Sequence, residues 1–507
     1  IAIPLGTHLP NFSVERNRFM RCQRVVDISL VLCLIFFAQS THQARGQTKP
    51  LNILFIAVDD LRPELGCYGS DYADTPSIDA LARSSTLFVN HFVQVPTCGA
   101  SRYALLTGRS PLQSGVTRSN GALYGGATAI SKTELAVAQT LPELFRRSGY
   151  QTTCIGKISH TADGRVYQYN GAGDGRPELP HAWDDLPTPF GAWKRGWGIF
   201  FAYNNGQHRE DGQGHKDVMQ FEAVEDADLP DGLLAETAIT RLAQYSKSSQ
   251  PFFLGLGFFK PHLPFVATKG DWDAFADVQI PPPPYPNKPA SKHYHGSGEF
   301  FKYTFPFSKT RPLDDRKIHD LRRAYLACVR YTDRQVGKVL LALKQYGLAD
   351  NTIVVLWGDH GWNLGDSRMW AKHAPFERGV RSPLIINVPG VTSGKTSTSL
   401  VETIDIYPTL LALAKPTFQQ TQHQLDGKDM TPILRNPTAT VREAALSFWG
   451  KAVSVRTDRF RLITSKVDGH YTNFELFDET TGFDPVRNLA NENMPVVQQL
   501  LGHIPDN

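Results

Sequence analysis

Four apolar runs in the 507-residue chain stop abruptly at charged or metal-ligating groups. Asn52-Ile-Leu-Phe-Ile-Ala-Val58 runs into Asp59-Asp60, and Gln151-Thr-Thr-Cys-Ile155 runs into Gly156-Lys157-Ile-Ser-His160. Pro251-Phe-Phe-Leu-Gly-Leu-Gly-Phe-Phe259 ends in Lys260-Pro-His262, and Thr352-Ile-Val-Val-Leu-Trp357 ends in Gly358-Asp359-His360. Short β-rich runs without polar alternation predict strands buried on both faces, hence a parallel-type sheet covered by helices. Ligands of such sheets bind beyond the carboxyl ends of the strands, where all four polar groups fall. Between the runs lie helical patterns: Thr140-Leu-Pro-Glu-Leu-Phe-Arg-Arg147 has proline in the permitted first turn. Cys328 falls on the apolar face of a helix that includes Leu321, Tyr325, Val329 and Val336, as a core residue.

Two segments, 161–217 and 275–314, lack periodicity and are rich in glycine, proline and aromatics. Loops of this length in a compact protein are commonly functional, and we expect them to wall a substrate cleft. Beyond a helix at Pro408, the runs 445–449, 452–455, 459–463 and 474–477 read as a small antiparallel sheet starting near residue 440. The expected division is an N-terminal extension and signal peptide over 1–46, a main domain over 47–439 and a C-terminal subdomain over 440–507.

The N-terminal reading rests on basic Met20-Arg-Cys-Gln-Arg24 followed by the apolar run from Ile28 to Ala38. That is the layout of a secretory signal peptide, with small-residue cleavage sites near Ala38 and Ala44, and it is short for a membrane span. An N-terminal anchor is the competing reading, and residues 1–19 read as an upstream extension. The net charge of +4 includes four arginines and two acidic groups in the first 40 residues, leaving the rest near neutrality. No global field points to nucleic acid or to a stable membrane association, so an anionic substrate has to be held by a local cluster. Of six cysteines, Cys67, Cys98, Cys154 and Cys328 lie beyond the leader, at spacings that resemble no disulfide framework.

Asp59-Asp60 and Asp359-His360 offer oxygen-rich ligands without a cysteine cluster, a set suited to Ca²⁺ or Mg²⁺ more than to zinc. Arg102, Lys157, Lys260 and Lys372 supply cations, and His160 and His262 are candidates for proton transfer. A metal with several cations describes a clamp for a tetrahedral oxyanion. The nucleophile belongs on the turn Cys98-Gly-Ala-Ser-Arg102. There a plain Cys98 thiolate matches a hard cation poorly, and Ser101 is electronically acceptable.

Cys98-Gly-Ala-Ser-Arg102 followed by Leu106-Thr-Gly-Arg109 resembles the signature of the type I sulfatases, members of the alkaline-phosphatase-like superfamily. Thr75-Pro-Ser-Ile-Asp-Ala-Leu-Ala82, Val401-Glu-Thr-Ile-Asp-Ile-Tyr-Pro408 and Leu425-Asp-Gly427 also have counterparts there. Phe259-Lys-Pro-His-Leu-Pro264, Asp359-His-Gly-Trp-Asn-Leu-Gly365 and Trp370-Ala-Lys372 are most similar to iduronate-2-sulfatases. One stretch departs from them: Gly365-Asp-Ser-Arg368 stands where those enzymes usually continue Gly-Glu-His, near the expected sugar pocket.

The resemblance implies an α/β fold with a mixed sheet sandwiched by helices and a smaller C-terminal subdomain built on an antiparallel sheet. It also implies an exported enzyme hydrolysing sulfate esters of carbohydrate, with a 2-O-sulfated uronic acid in a polysaccharide as the expected substrate. It assigns one Ca²⁺ to Asp59, Asp60, Asp359, His360 and Cys98, the last converted to formylglycine (3-oxoalanine) by a maturing enzyme. Arg102 would hold the formylglycine, Lys157 and Lys372 the sulfate, His160 the geminal diol and His262 the leaving oxygen. A sulfatase of another glycan linkage, a phosphodiesterase or phosphonate hydrolase of the same superfamily, and a non-catalytic glycan-binding protein are the alternatives.

Overall fold

A computed structural model describes residues 49–304, 313–483 and 485–505. The signal-peptide reading of residues 1–46 lies outside them. Seven strands form the main sheet: β1 (Asn52–Val58), β2 (Thr86–Phe88), β3 (Gln151–Gly156), β4 (Phe252–Phe258), β5 (Thr352–Gly358), β6 (Leu384–Asn387) and β7 (Lys395–Ser397), in the order β7-β2-β6-β5-β1-β4-β3. The four apolar runs are the contiguous parallel block β5-β1-β4-β3. The sheet as a whole is mixed, because β6 runs antiparallel to both β5 and β2.

The lack of alternation has the predicted cause. Leu54, Ile56 and Val58 of β1 enter one core, while Ile53, Phe55 and Ala57 enter the other. Each large aliphatic side chain so buried contributes about 1.5–3 kcal/mol. Helix α1 (Cys98–Thr107) packs through Tyr103, Leu105 and Leu106 into the second core. Helices α2 (Pro230–Tyr245) and α3 (Asp315–Gln345) cover the first. The 31-residue α3 follows its N-cap Asp314, whose carboxylate accepts the Lys317 amide at 2.9 Å, and buries Leu321, Tyr325, Cys328 and Val336 in the core. The expected C-terminal sheet is four antiparallel strands, β8 (Ala445–Trp449), β9 (Ala452–Arg456), β10 (Phe460–Val467) and β11 (His470–Asp478). Buried Arg461 of β10 ties it to the segment after β5, bonding Glu377 as well as Glu479 and Ser454.

Registers pair Val58 with both Gly358 and Phe258, and Gly156 with Gly257, so all four parallel strands end at one level. At that level β3 and β4 approach closely. The Lys157 amide donates to the Gly257 carbonyl at 3.0 Å, and a Cβ on Gly257 would lie 2.1 Å from the Lys157 carbonyl oxygen. Overpacking of this kind costs about 1–3 kcal/mol. Gly257→Ala is therefore expected to lower the urea midpoint by that amount of stability. Gly296→Ala, where an added methyl meets nothing within 4 Å, should leave the midpoint unchanged.

Candidate active site

Each strand end delivers its polar group to one buried centre. Asp59 follows β1 and Asp359 follows β5, its parallel neighbour. Asp60 holds a left-handed φ of 61°, an unusual conformation for aspartate. It is fixed there from both sides: its amide donates to Asp359 Oδ1 at 3.0 Å and its carbonyl accepts the Tyr325 hydroxyl at 2.9 Å. Cys98 opens α1 and brings its sulfur 3.3 Å from His360 Nε2 and 3.2 Å from Lys372 Nζ.

Ligand atoms of Asp59, Asp60, Cys98 and His360 lie within 4.8 Å of one another, all buried. Asp60 Oδ2 has no hydrogen-bond partner among the described residues. An unsatisfied carboxylate oxygen in a buried site is costly, and a hard divalent cation would satisfy it. His360 fits the same purpose: its Nδ1 donates to the Gly361 carbonyl at 3.0 Å, leaving the Nε2 lone pair directed at the cluster. Asp359, expected with these ligands, stands beside them, with Oδ1 3.6 Å from His360 Nε2. Its other oxygen accepts Arg102 Nε at 3.0 Å.

The cations are bound to the acids. Arg102, fully buried, reaches Asp359 and Asp59 and also donates to the Lys157 and Ile158 carbonyls. Its hydrogen bonds go to the carboxylates and the strand end, which makes it a positioning group for both. Lys157 Nζ lies 2.5 Å from Asp59 Oδ2, and Lys372 Nζ lies 2.9 Å from Asp60 Oδ1. Burial and Asp359 push the Asp59 carboxyl up, but Lys157 and Arg102 outweigh them and hold it below its ordinary range. Burial lifts Asp60 well above that range despite Lys372, as Asp59 and Cys98 add to the effect. Burial thus opposes ionisation of Asp60 in the protein alone, and a bound divalent cation would favour its charged form.

The nucleophile alternatives left by the sequence separate here. Ser101 donates its hydroxyl to the Asp359 carbonyl at 2.5 Å and is fully buried, so it is committed to structure. Cys98 lines a cavity of about 120 Å³ together with Lys157, His160, His262 and Lys372. Burial pushes its thiol up to about 12, reinforced by Asp59, so an unmodified Cys98 is protonated at neutral pH. Burial, with Lys157 and Lys372 respectively, holds His160 and His262 well below the ordinary imidazole range. His262 Nδ1 donates to the Leu263 carbonyl at 2.6 Å, leaving Nε2 free toward Asp60 and Glu299, at 3.7 and 3.9 Å.

One strand-end expectation changes. Lys260 spends its ammonium on the carbonyls of His262 and Pro264, at 3.0 and 2.6 Å, and does not line the cavity. In the Gly365 to Arg368 stretch, Asp366 pairs with Arg62 at 2.8 Å as a buried bridge. The two aperiodic segments do wall the cavity, the first through Tyr169, Trp197, Phe200 and Arg209, the second through Glu299, Lys302 and Tyr303. Glu299 was missed by sequence reasoning. It lies 3.1 Å from Lys372 Nζ, in a stretch with neither periodicity nor motif. His373 could have been flagged as the neighbour of Lys372; it bridges Thr97 and Ser297.

Comparison with known proteins settles the family. The sulfatase family model matches residues 51–416, and the model for the C-terminal part of N-sulphoglucosamine sulphohydrolase matches residues 358–504. The chain belongs to the sulfatase family. It is 32% identical to mouse (Mus musculus) iduronate 2-sulfatase over 435 residues, 77% of this chain and 74% of that one. Its fold is that of yidJ from Bacteroides fragilis (TM-score 0.67, 23% identity, 90% of this chain and 95% of that one). It is equally that of a phosphonate monoester hydrolase from Silicibacter pomeroyi (TM-score 0.68, 22% identity, 89% and 95%). These alkaline-phosphatase-like neighbours agree with the mixed sheet and the added antiparallel sheet. Among the described residues of this sulfatase, no helix is long and apolar enough to cross a membrane.

If Asp60 is an unbalanced ligand, Ca²⁺ or Mg²⁺ added to chelator-treated sulfatase should stabilise it by about 2.7 kcal/mol at a hundredfold excess over Kd. Thermal unfolding of Asp60→Asn should show most of that gain lost.

Proposed function

We propose that this sulfatase cleaves sulfate esters of carbohydrate, with a 2-O-sulfated uronic acid of a polysaccharide as substrate, at a formylglycine formed from Cys98. The observation that carries the reading is the placing of Cys98 at the mouth of α1, against Lys372 and His360 and open to the cavity. The uronate assignment is supported by the likeness to mouse iduronate 2-sulfatase and by Phe259-Lys-Pro-His-Leu-Pro264, which supplies His262.

Asp59, Asp60, Asp359, His360 and the residue at position 98 would hold a divalent cation, Ca²⁺ in our reading. When present, the metal supplies Lewis acidity and the formylglycine a hydrated aldehyde that is both nucleophile and self-releasing group. The chain's own residues do the rest. Lys157 and Lys372 remain charged because Asp59 and Asp60 outweigh their burial, and their ammonium groups face the cavity as anchors for the sulfate oxygens. His160 enters the cavity with Nδ1 unpartnered among the described residues, a proton acceptor on the nucleophile's side. His262 Nε2 serves the leaving oxygen. Burial and Lys372 keep it neutral, and the negative charge of the sulfate ester would favour its protonation as substrate binds. Arg102 fixes Asp59, Asp359 and the Lys157 backbone in one frame. The leader over 1–46 and passage through an export route, with a formylglycine-generating enzyme as maturation partner, complete the proposal.

Mass spectrometry of the tryptic peptide Ser84 to Arg102 tests the nucleophile. In active enzyme we expect the aldehyde or its hydrate at position 98, and full activity with only a free thiol there overturns the mechanism. Cys98→Ala should abolish turnover while leaving the unfolding midpoint within about 1 kcal/mol of the parent.

The phosphonate hydrolase fold neighbour keeps a second reading open to test on the same preparation. We expect an aryl sulfate to be hydrolysed at least tenfold faster than a phosphonate monoester or phosphate diester. On defined sulfated disaccharides, 2-sulfated uronates should release sulfate, and their inertness beside active alternatives would remove the uronate assignment.

A further inference from the structure

The reaction cavity of about 120 Å³ falls below the ~300–1,000 Å³ usual for small-molecule sites, so most of a saccharide must lie beyond it. At its mouth Tyr169, Arg209 and Lys302 also line a second cavity of about 340 Å³, whose remaining walls are Glu210 and Lys216. Three cations therefore face one acid. Glu210 is already taken, its Oε1 accepting Arg209 Nε at 2.8 Å and another guanidinium nitrogen at 2.6 Å. Neither lysine forms an ion pair with an acidic side chain among the described residues.

An isolated surface lysine is ordinarily just a solvated charge. The arrangement here differs in two respects. Arg209 is buried and held rigid: its guanidinium lies 3.4 Å over the Phe201 ring and donates to the Tyr303 hydroxyl at 3.0 Å. The cationic cavity also shares Tyr169, Arg209 and Lys302 with the reaction chamber, so the two lie side by side. Between them stands Tyr169, 49% exposed, its ring 4.7 Å from that of Trp197, giving a flat apolar surface where a sugar ring can rest.

We propose that Arg209, Lys216 and Lys302 form a second anion subsite that binds a further carboxylate or sulfate of the saccharide whose scissile sulfate occupies the reaction cavity. The subsite rests on the carbohydrate-sulfatase reading and adds to it a preference for polyanionic oligosaccharides over singly charged esters. The two sources share one chemistry, oxygens of a delocalised anion met by guanidinium and ammonium donors.

The test uses Lys216→Gln, an exposed position outside the reaction cavity, with the mature full-length enzyme. We compare kcat/KM on a 2-O-sulfated uronate disaccharide bearing a sulfate on its second sugar with kcat/KM on an aryl sulfate. The ratio should fall about tenfold, mostly through KM, and lose part of its salt dependence. The same comparison with a carboxyl-reduced disaccharide and with one lacking the second sulfate identifies the bound group. Whichever change abolishes the Lys216 effect removes the anion that is held. A ratio within twofold of the parent, or an equal loss on every disaccharide, overturns the subsite. Calorimetric binding of the doubly charged disaccharide to both proteins gives a reading independent of turnover: about tenfold weaker Kd in the variant supports the subsite, and unchanged Kd refutes it. If the parent releases sulfate from neither the disaccharides nor the aryl sulfate, it is the carbohydrate-sulfatase reading that falls, while the binding comparison still decides the subsite.

Discussion

Everything at this centre depends on three carboxylates and three cations buried together. Asp59, Asp60, Asp359, Arg102, Lys157 and Lys372 are each no more than 1% exposed. Charges taken this far from solvent are tolerated only when paired with good geometry, because the desolvation cost of each is several kcal/mol. The pairing is specific: Arg102 joins Asp59 to Asp359, Lys157 takes Asp59, and Lys372 takes Asp60. The outcome is a set of dipoles and charges that cannot easily reorient. Electrostatic catalysis requires this property, since the field must be in place before charge develops. Asp60 Oδ2 is left without a hydrogen-bond partner among the described residues, and the metal reading begins at that point.

The network is possible because the strands end together. Parallel pairing keeps β5, β1, β4 and β3 in register to their last residues, so four loops emerge side by side. Close packing of Gly156 against Gly257 lets the chain turn at once into Lys157, whose carbonyl Arg102 then grips. Backbone and charge network thus stabilise each other, and a change in either is felt by both.

The same geometry explains what could be read from the chain. The parallel strands were legible because both faces are buried, which leaves uninterrupted apolar runs, and the groups just after them were legible by position. The segments Thr86–Phe88, Leu384–Asn387 and Lys395–Ser397 are only three or four residues each, too short to carry a period, so this side of the sheet was not visible in the pattern. Position alone also misled. Lys260 stands at a strand end like Lys157, yet its side chain turns back to its own loop's carbonyls. Glu299, Arg209 and Tyr169 come from coil, and only the tertiary path of long loops brings them to the cavity. No local pattern encodes such a path.

The charge network also bears on what can act as nucleophile. Burial that strengthens the ion pairs equally opposes ionisation of Cys98, and Asp59 adds to that opposition. A thiolate would have to form beside two carboxylates in a buried site, and once formed it would be a soft ligand among hard ones. Ser101 offers the right element, but its hydroxyl is held by the Asp359 carbonyl and faces the protein. The position best placed for attack therefore carries an atom ill suited to it, while every surrounding group suits an oxygen: hard carboxylates, two ammonium groups and a neutral imidazole free to take a proton. The physical case for an oxygen nucleophile made from the Cys98 side chain rests on that mismatch.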